Sequence, residues 1–499
     1  MPQDRSSRLP PAVLASLLLL GFFFVIQCVL AIVRQPSLIW NEIRWCRSLA
    51  LSRGLPIYVG QNAMGPIIGT LHPPLSHLLY RATVGWIGDP IEGILAGSLV
   101  SLSMVFGVVA WLFIRARTRG PYEWRGVAVV FLFCGFAIMQ SPAAYDTVTP
   151  IHTDACALAF AIIACGLVCL RPDERAKNRI WLAALCVVLS ICSKQTMFPV
   201  AVAVGVFILV ADGFVAFAHY VVAGLVATAI AICLVTTLYN GPVVFFNLVT
   251  LALHRAYKPD ALSYLARAFR DAKLDSLTAL FPILFFLVYE WLEAGRKPSR
   301  FYLLINRFRW LVFIFAAASL APGTIVATLT RGADINHIGL VLVLLFVGSG
   351  LAIQQNLSAA DPLLRRSALL FTAVGLLVNV TPGAALELPA AWNGLEHANS
   401  EVAFKYALRH PKQVYFPWNP SVSLLTEGKL YHLDPALADR EITGYPLTDM
   451  QVLSGLPQNF QYVAIPPGMP LSSKSLARAF AQYRPVEISE LAGWTVYGK

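Results

Sequence analysis

The segment AVLASLLLLGFFFVIQCVLAIVRQPSLIWNEIRW (residues 12–45) decides the fold class, because an uncharged apolar run gives way to a short polar stretch that begins a second helix. The apolar run covers residues 12–33, and a helix needs about 20 apolar residues to cross the hydrocarbon of a bilayer. Arg5 and Arg8 precede the run, and no small-residue cleavage site follows it. These features predict a retained membrane anchor rather than a removed signal peptide.

Similar apolar runs recur along the 499 residues, of which 57% are hydrophobic and 13% charged. Soluble domains carry about 25% charged residues, so the composition excludes a soluble globular enzyme. We predict an all-α polytopic membrane protein with about 11 spans, at residues 12–33, 92–114, 127–144, 155–170, 180–192, 197–211, 214–237, 276–293, 310–328, 337–354 and 367–384. Cysteines occur mainly within these runs and no CxxC is present, so neither a disulfide framework nor a zinc site is predicted.

Membrane topology explains the net charge of +11 better than nucleic-acid binding does, because the Lys and Arg residues cluster in short loops between apolar runs. Lys and Arg in such loops are retained on the cytoplasmic side. The clusters are Arg115, Arg117, Arg119 and Arg125; Arg171, Arg175, Lys177 and Arg179; Arg296, Lys297, Arg300, Arg307 and Arg309; and Arg365 and Arg366. We therefore predict a cytoplasmic N-terminus and no nucleic-acid partner.

This orientation puts the longest connections on the opposite, outer side of the membrane. We predict a membrane module over residues 1–384 with a first outer loop at 34–91, followed by an extracytoplasmic domain over 385–499. In that domain, Lys412 to Trp418 and Phe460 to Ile465 have the pattern of short strands, and Ser473 to Tyr483 has that of a helix. A small α/β domain is expected.

The first outer loop has signals for two helices on the membrane surface. Asn41 can cap a helix that runs through Arg53, and a second helix is expected to start at Pro73 or Pro74. Glu42 then lies at the exit of the first span.

The order of these features resembles the GT-C superfamily of integral-membrane glycosyltransferases, in particular bacterial members similar to protein mannosyltransferases and aminoarabinose transferases. The residues that carry the resemblance are Glu42; Gly54, Pro56 and Tyr58; Pro73, Pro74 and Leu75; Asp154; Ser193, Lys194 and Gln195; and Gly332 to His337. Each motif is short, and their order along nearly the whole membrane part carries the resemblance.

The resemblance implies an inverting transfer of a hexosyl or pentosyl group from a polyprenyl-phosphate-linked donor, on the outer face of a bacterial inner membrane. It also implies a catalytic acid in the first outer loop. Many relatives carry Asp-Glu at this place, whereas this chain has Asn41-Glu42. We assign Glu42 as the general base.

The chemistry of such a transfer requires one carboxylate near the acceptor hydroxyl and cations near the phosphate leaving group. As cations we predict Lys194, Arg331, Arg255 and His254, with Asp154 as a second catalytic residue that positions acceptor or base. Asn41, Tyr58, Gln195, Asp334, Asn336 and His337 are the predicted substrate-positioning residues. No compact ligand motif occurs, so we expect no cofactor and a metal-independent reaction.

Structural roles are open for the same residues. Glu42 could be a first-turn acid that favours the helix dipole, and Asp154 could cap the fourth span. Lys194 could extend its ammonium from a helix end towards water, and Asn336 and His337 could cap the tenth span.

Two other functional classes also fit a polytopic chain with ionisable residues. A lipid-linked-sugar transporter or flippase would place its site near the midplane, often between repeated halves, and no internal repeat is found. A non-catalytic assembly subunit would use its outer domain to bind a partner. The glycosyltransferase interpretation has as partners the lipid bilayer, the lipid-linked donor and a glycolipid, polysaccharide or protein acceptor.

Overall fold

The computed structural model describes residues 11–117, 123–170, 176–271, 273–294, 305–331 and 335–499. Its first half contains α1 (Pro11–Arg34), α2 (Ile39–Ser52), α3 (Leu75–Val84), α4 (Pro90–Arg115), α5 (Glu123–Gln140), α6 (Pro142–Val148), α7 (Thr153–Cys169), α8 (Ala176–Ser193), α9 (Phe198–Asp212), α10 (Phe214–Tyr239), α11 (Gly241–Phe245) and α12 (Leu251–Leu253). Next come α13 (Ala261–Asp271), α14 (Lys273–Ala294), α15 (Leu311–Thr328), α16 (Asn336–Leu357) and α17 (Pro362–Asn379).

The C-terminal part combines short helices with one sheet. Its elements are α18 (Ala384–Asn393), α19 (Asn399–Arg409), β1 (Val414–Tyr415), α20 (Pro420–Glu427), α21 (Asp434–Ile442), α22 (Asp449–Ser454), β2 (Tyr462–Ile465), α23 (Lys474–Ala479), β3 (Arg484–Val486) and β4 (Thr495–Gly498). The strand order is β1-β2-β4-β3, in which β1 and β2 are parallel and the other pairs antiparallel.

The all-α polytopic class is confirmed, and a helix lies at each of the predicted spans. In the described part of the chain, 8 helices are long and apolar enough to cross a membrane by themselves, and up to 9 if one bent pair counts as a span. The helices Thr153–Cys169 and Asn178–Ser193 are apolar but shorter. The predicted total of about 11 is therefore reached only when these short helices are included.

The predicted span at residues 127–144 is wrong at its end. The helix stops at Gln140 and the chain turns by 99° into α6. Ser141 causes the break, because its side chain caps α6 and Pro142 occupies the first turn of the new helix.

Helix α16 forms the centre of the membrane part. In its apolar segment 89% of the residues are buried, against 6% in α10, which faces outward along most of its length. Glycines permit this central position: a Cβ on Gly339 would lie 2.0 Å from the carbonyl oxygen of Ala143, and one on Gly350 would lie 2.5 Å from Cys134 Sγ. The helices that pack around α16 thus hold its first turn in a fixed place.

The two predicted surface helices of the first outer loop are α2 and α3, with two differences in detail. Leu38, not Asn41, is the N-cap of α2, and α3 begins at Leu75, directly after Pro74. Asn41 does not cap because its amide is used elsewhere: Nδ2 donates to the Gln35 carbonyl and side-chain oxygens, and Oδ1 accepts from Ile151 N at 3.1 Å.

The C-terminal part packs directly onto the first outer loop. Leu433 N donates to Ile67 O at 3.0 Å, and Arg440 donates to the carbonyl oxygen of Val59, also at 3.0 Å. The two regions share one apolar core, which joins Ile39, Ile43, Val59 and Ile67 to Tyr415, Trp418 and their neighbours. This contact determines which residues of α2 face the C-terminal part and which face the membrane helices.

Candidate active site

A cavity of about 540 Å³ lies between the first outer loop, the adjacent ends of the membrane helices and α21. Side chains of many polar residues line it: Arg44, Arg47, Thr70, His72, Ser76, His77, Tyr80, His152, Thr153, Lys194, Gln195, Thr196, Arg255, Thr330, Asn336, His337 and Asp439. These residues come from α2, from α3 and the loop before it, from α21, and from the ends of the membrane helices that meet the first outer loop.

An ion pair between Asp154 and Lys194 lies at the membrane side of the cavity, and both side chains are completely buried. The second Asp154 oxygen, Oδ2, accepts from Asn336 Nδ2 at 2.7 Å and lies 2.8 Å from His152 Nδ1. Lys194 Nζ lies 3.3 Å from His337 Nδ1. A buried charge is costly unless it is paired and hydrogen-bonded, and this network meets both conditions.

Local sequence brings these groups together at three helix ends. His152 is the N-cap of α7, and its Nδ1 lies 3.3 Å from Asp154 N as well as 2.8 Å from Asp154 Oδ2, so Asp154 falls in the first turn rather than at the cap. Lys194 directly follows α8, where the chain enters a short 3-10 turn before α9. Asn336 and His337 form the first turn of α16. The structural alternative of Asp154 as an N-cap is therefore wrong.

Arginines supply the remaining positive charge of the cavity. Arg255 Nη2 pairs with Asp439 Oδ1 at 2.9 Å, which joins the segment after α12 to the C-terminal part. Arg44 and Arg47 are three residues apart on α2, so they project from the same side of the helix.

The histidines of the first outer loop and of the α7 cap add no charge at neutral pH. Burial lowers the pKa of His77 to about 3 and that of His152 to about 4, and it lowers the pKa of His72 well below its usual value. Each of these rings is therefore a neutral group that can accept a proton or a hydrogen bond.

Glu42 does not line the cavity. Its side chain is completely buried against the C-terminal part, where Oε1 accepts from Ser421 Oγ at 2.5 Å and Oε2 accepts from Asn419 Nδ2. Burial raises the pKa of Glu42 to about 7, and these hydrogen bonds lower it only partly. Enclosed in this way, the carboxyl group does not face the cavity, and the assignment of Glu42 as the base stays a prediction. Asn41 is also completely buried and does not line it.

Three other predicted residues do not line the cavity either. His254 Nδ1 lies 2.7 Å from Thr250 O, and its ring lies 5.7 Å from that of Tyr445. Arg331 is exposed, and its backbone N donates to Ala256 O. Tyr58 Oη donates to His72 O at 2.6 Å, and its ring packs against Tyr239. Asp334 lies outside the described residues.

The structure brings Lys194, Gln195, Arg255, Asn336 and His337 together around the cavity, with Asp154 in contact with its wall. The sequence analysis did not assign Arg44, Arg47 or Asp439 to the site, and it placed His72, His77 and His152 on the outer side without giving them a role. The i, i+3 spacing of the two arginines after Glu42, and the position of His152 two residues before Asp154, were usable signals. No local signal identifies Asp439.

In the described part of the chain, no group of three or more His, Cys, Asp or Glu residues could hold a metal ion. A metal-independent reaction stays a prediction.

Comparison with known proteins identifies the fold. ArnT from Cupriavidus metallidurans, in a crystal structure with bound undecaprenyl phosphate, is similar with a TM-score of 0.54 and 14% identity, over 96% of this chain and 97% of that chain. An oligosaccharyltransferase from Archaeoglobus fulgidus, crystallised with Zn and sulfate, has a TM-score of 0.44 and 10% identity, over 90% of this chain and 68% of its own. No protein-family model and no curated protein sequence matches. The similarity to ArnT shows that the two chains share a fold.

Proposed function

We propose that this protein is a membrane glycosyltransferase that moves a sugar from a polyprenyl-phosphate-linked donor to an acceptor on the outer face, with inversion at C1. One observation carries the proposal: a cavity lined by Lys and Arg side chains lies where membrane helices meet the first outer loop, in a fold shared with ArnT, which binds undecaprenyl phosphate. The lipid phosphate is the group that a cationic site at this depth would suit.

Lys194 and Arg255 are the proposed phosphate ligands. Both line the cavity, and both already contact a carboxylate, so the phosphate would share or replace that partner. Negative charge builds on the phosphate as the bond to C1 breaks, and hydrogen bonds to charged groups contribute about 1.5–3 kcal/mol each. Arg331 and His254 have no part in this proposal because they do not line the cavity.

The proton of the acceptor hydroxyl would go to His152, with Asp154 as its positioning partner. His152 lines the cavity, and because burial lowers its pKa to about 4 the ring is neutral at pH 7 and has one nitrogen lone pair free, while the adjacent Asp154 carboxylate raises that pKa. Asp154 Oδ2, 2.8 Å from Nδ1, would fix the tautomer and stabilise the imidazolium that forms. The acceptor oxygen then bonds to C1, the C1–O bond to phosphate breaks, and its electron pair leaves on the phosphate.

Gln195, Asn336 and His337 are proposed to bind sugar hydroxyls. Gln195 Nε2 donates to Leu71 O at 2.7 Å, whereas its buried Oε1 has no hydrogen-bond partner and is available to a substrate. Asn336 holds Asp154, so it would orient the proton acceptor as well as the sugar.

We further propose that residues 1–384 form the catalytic module and that 385–499 lie outside a bacterial inner membrane, with the N-terminus in the cytoplasm. This orientation can be tested by placing single cysteines in residues 385–499 and labelling them in intact cells with a reagent that does not cross the membrane. Labelling only after the cells are lysed would contradict it.

Transfer assays in membranes supplied with polyprenyl-phosphate sugars test the function. We expect His152→Ala to lower transfer by at least about 100-fold, the usual contribution of a general base. Lys194→Gln should weaken binding of undecaprenyl phosphate, and His397→Ala, at an exposed position away from the cavity, is the matched control. Equal transfer by all three variants would contradict the proposal, and lipid movement without a covalent product would favour a transporter.

A further inference from the structure

Two arginines in the cavity wall have a buried Nε atom with no hydrogen-bond partner, Arg47 and Arg255. Arg255 is still paired through Nη2 with Asp439. Burial and, to a smaller extent, the nearby charge of Arg44 lower the pKa of Arg47 to about 10, so the side chain remains charged at neutral pH. A buried charged donor without a partner is costly, which makes Arg47 a place where an anion would be stabilised.

The surroundings of Arg47 differ from those of Lys194. Arg47 lies on α2 with Arg44 one turn before it, and the charged or titratable groups around it are Asp439, His77, Cys46 and Tyr58. Of these groups, Asp439 is the carboxylate. It lines the cavity and already contacts Arg255. Lys194, by contrast, has the Asp154 carboxylate in direct contact. Lys194 therefore has a carboxylate in direct contact, whereas the carboxylate near Arg47, that of Asp439, is paired with Arg255.

We propose that the cavity contains a second anion subsite, built on Arg47 with support from Arg44, that binds a phosphate group other than the one at Lys194 and Arg255. This inference rests on the proposed function and narrows its substrate. The second phosphate could be the additional phosphate of a diphosphate-linked lipid donor, or a separate anionic group carried by the other substrate.

Lipid binding by the full-length protein in nanodiscs tests the first source, with undecaprenyl phosphate and undecaprenyl diphosphate as probes. The wild type should bind the diphosphate at least about ten-fold more tightly, which corresponds to about 1.4 kcal/mol. Arg47→Gln should remove this preference and leave the monophosphate Kd within about two-fold. Arg47→Lys should keep part of the preference, and Arg81→Gln, exposed on α3, should behave as the wild type.

Inorganic phosphate tests the second source, added to protein saturated with undecaprenyl phosphate. If the wild type shows no preference for the diphosphate but binds inorganic phosphate about ten-fold more tightly than Arg47→Gln does, the second phosphate is a separate group. Either pattern supports a second subsite.

The inference is overturned if Arg47→Gln weakens both lipids equally, because Arg47 would then belong to the first phosphate site. It is also overturned if neither lipid preference nor phosphate binding depends on Arg47. These results leave the proposed function standing as long as undecaprenyl phosphate binds. A wild type that binds neither lipid would overturn the proposed function itself.

Discussion

Glu42 and Asp154 are two completely buried carboxylates near the same edge of the membrane part, and their partners differ. Glu42 accepts hydrogen bonds from neutral donors, Ser421 and Asn419, in the C-terminal part. Asp154 contacts a cation, Lys194, and a histidine that lines the cavity. The first carboxyl group connects the first outer loop to the C-terminal part, whereas the second contacts Lys194 and His152, which line the cavity. Both carboxyl groups are completely buried, so the difference between them lies in the charge of their partners.

Removing the charge of Asp154 is expected to have the largest effect. In Asp154→Asn the buried Lys194 loses its counter-charge, and breaking a buried pair in this way costs about 3–5 kcal/mol. We expect a strong decrease in unfolding temperature and loss of sugar transfer. The double variant Asp154→Asn with Lys194→Met should recover part of the stability, because no unpaired charge is left buried. It should not recover transfer, because both side chains that the reaction is proposed to use are missing. Transfer by Asp154→Asn at the wild-type rate would contradict this role.

Glu42 should make the attachment of the C-terminal part depend on pH. Its pKa is about 7 in the folded protein against 4.5 as the ordinary value, so between these pH values the folded state binds more protons than the unfolded state. The stabilisation is therefore complete below pH 4.5 and is lost as the pH rises to about 7, with an upper limit of roughly 3 kcal/mol.

Hydrogen exchange of the Asn419 to Glu427 segment, measured between pH 5 and pH 8, reports this effect locally after correction for the intrinsic exchange rate. Protection should decrease as the pH rises in the wild type, and much less in Glu42→Gln. The same pH dependence in both proteins would show that another group titrates.

Glu42→Gln is expected to leave sugar transfer within about three-fold of the wild type, since the side chain does not line the cavity. The amide has one acceptor oxygen for two donors, and a lost buried hydrogen bond costs about 1–3 kcal/mol. Thermal unfolding and transfer measured on the same preparation separate the two effects. A large loss of transfer without loss of stability would support Glu42 as a catalytic residue.

Asp439 is a third carboxylate for this comparison, and its substitution is expected to have the smallest effect on the protein. Its pair with Arg255 is partly exposed, so the interaction is worth at most about 1 kcal/mol. Asp439→Asn should tighten binding of undecaprenyl phosphate by about two- to five-fold, because Arg255 no longer has a competing carboxylate. Asp449→Asn, at an exposed position, is the control. Weaker binding in Asp439→Asn would mean that Asp439 holds Arg255 in its binding position.

The membrane helices could be predicted from sequence because hydropathy is a local property. Lys194, Asn336 and His337 could also be found, since polar residues at helix ends beside apolar spans are unusual. The bend after Gln140 was not predicted, because it depends on a single serine cap followed by proline within an otherwise continuous apolar pattern.

The direction of Glu42 could not be predicted, because it depends on Asn419 and Ser421, more than 370 positions away in the chain. The same holds for Asp439 and for the buried environment of Arg47. Such contacts depend on how the C-terminal part packs on α2, and the spacing of residues within the first outer loop does not indicate that packing.

A structure of the full-length protein with bound undecaprenyl phosphate tests the central claim most directly. We predict phosphate oxygens about 3 Å from Lys194 Nζ or from the Arg255 guanidinium, the length of a charge-assisted hydrogen bond. Glu42 should remain enclosed by Asn419 and Ser421. A phosphate group bound beside Glu42, with the Lys194 and Arg255 side chains not in contact with it, would contradict the account.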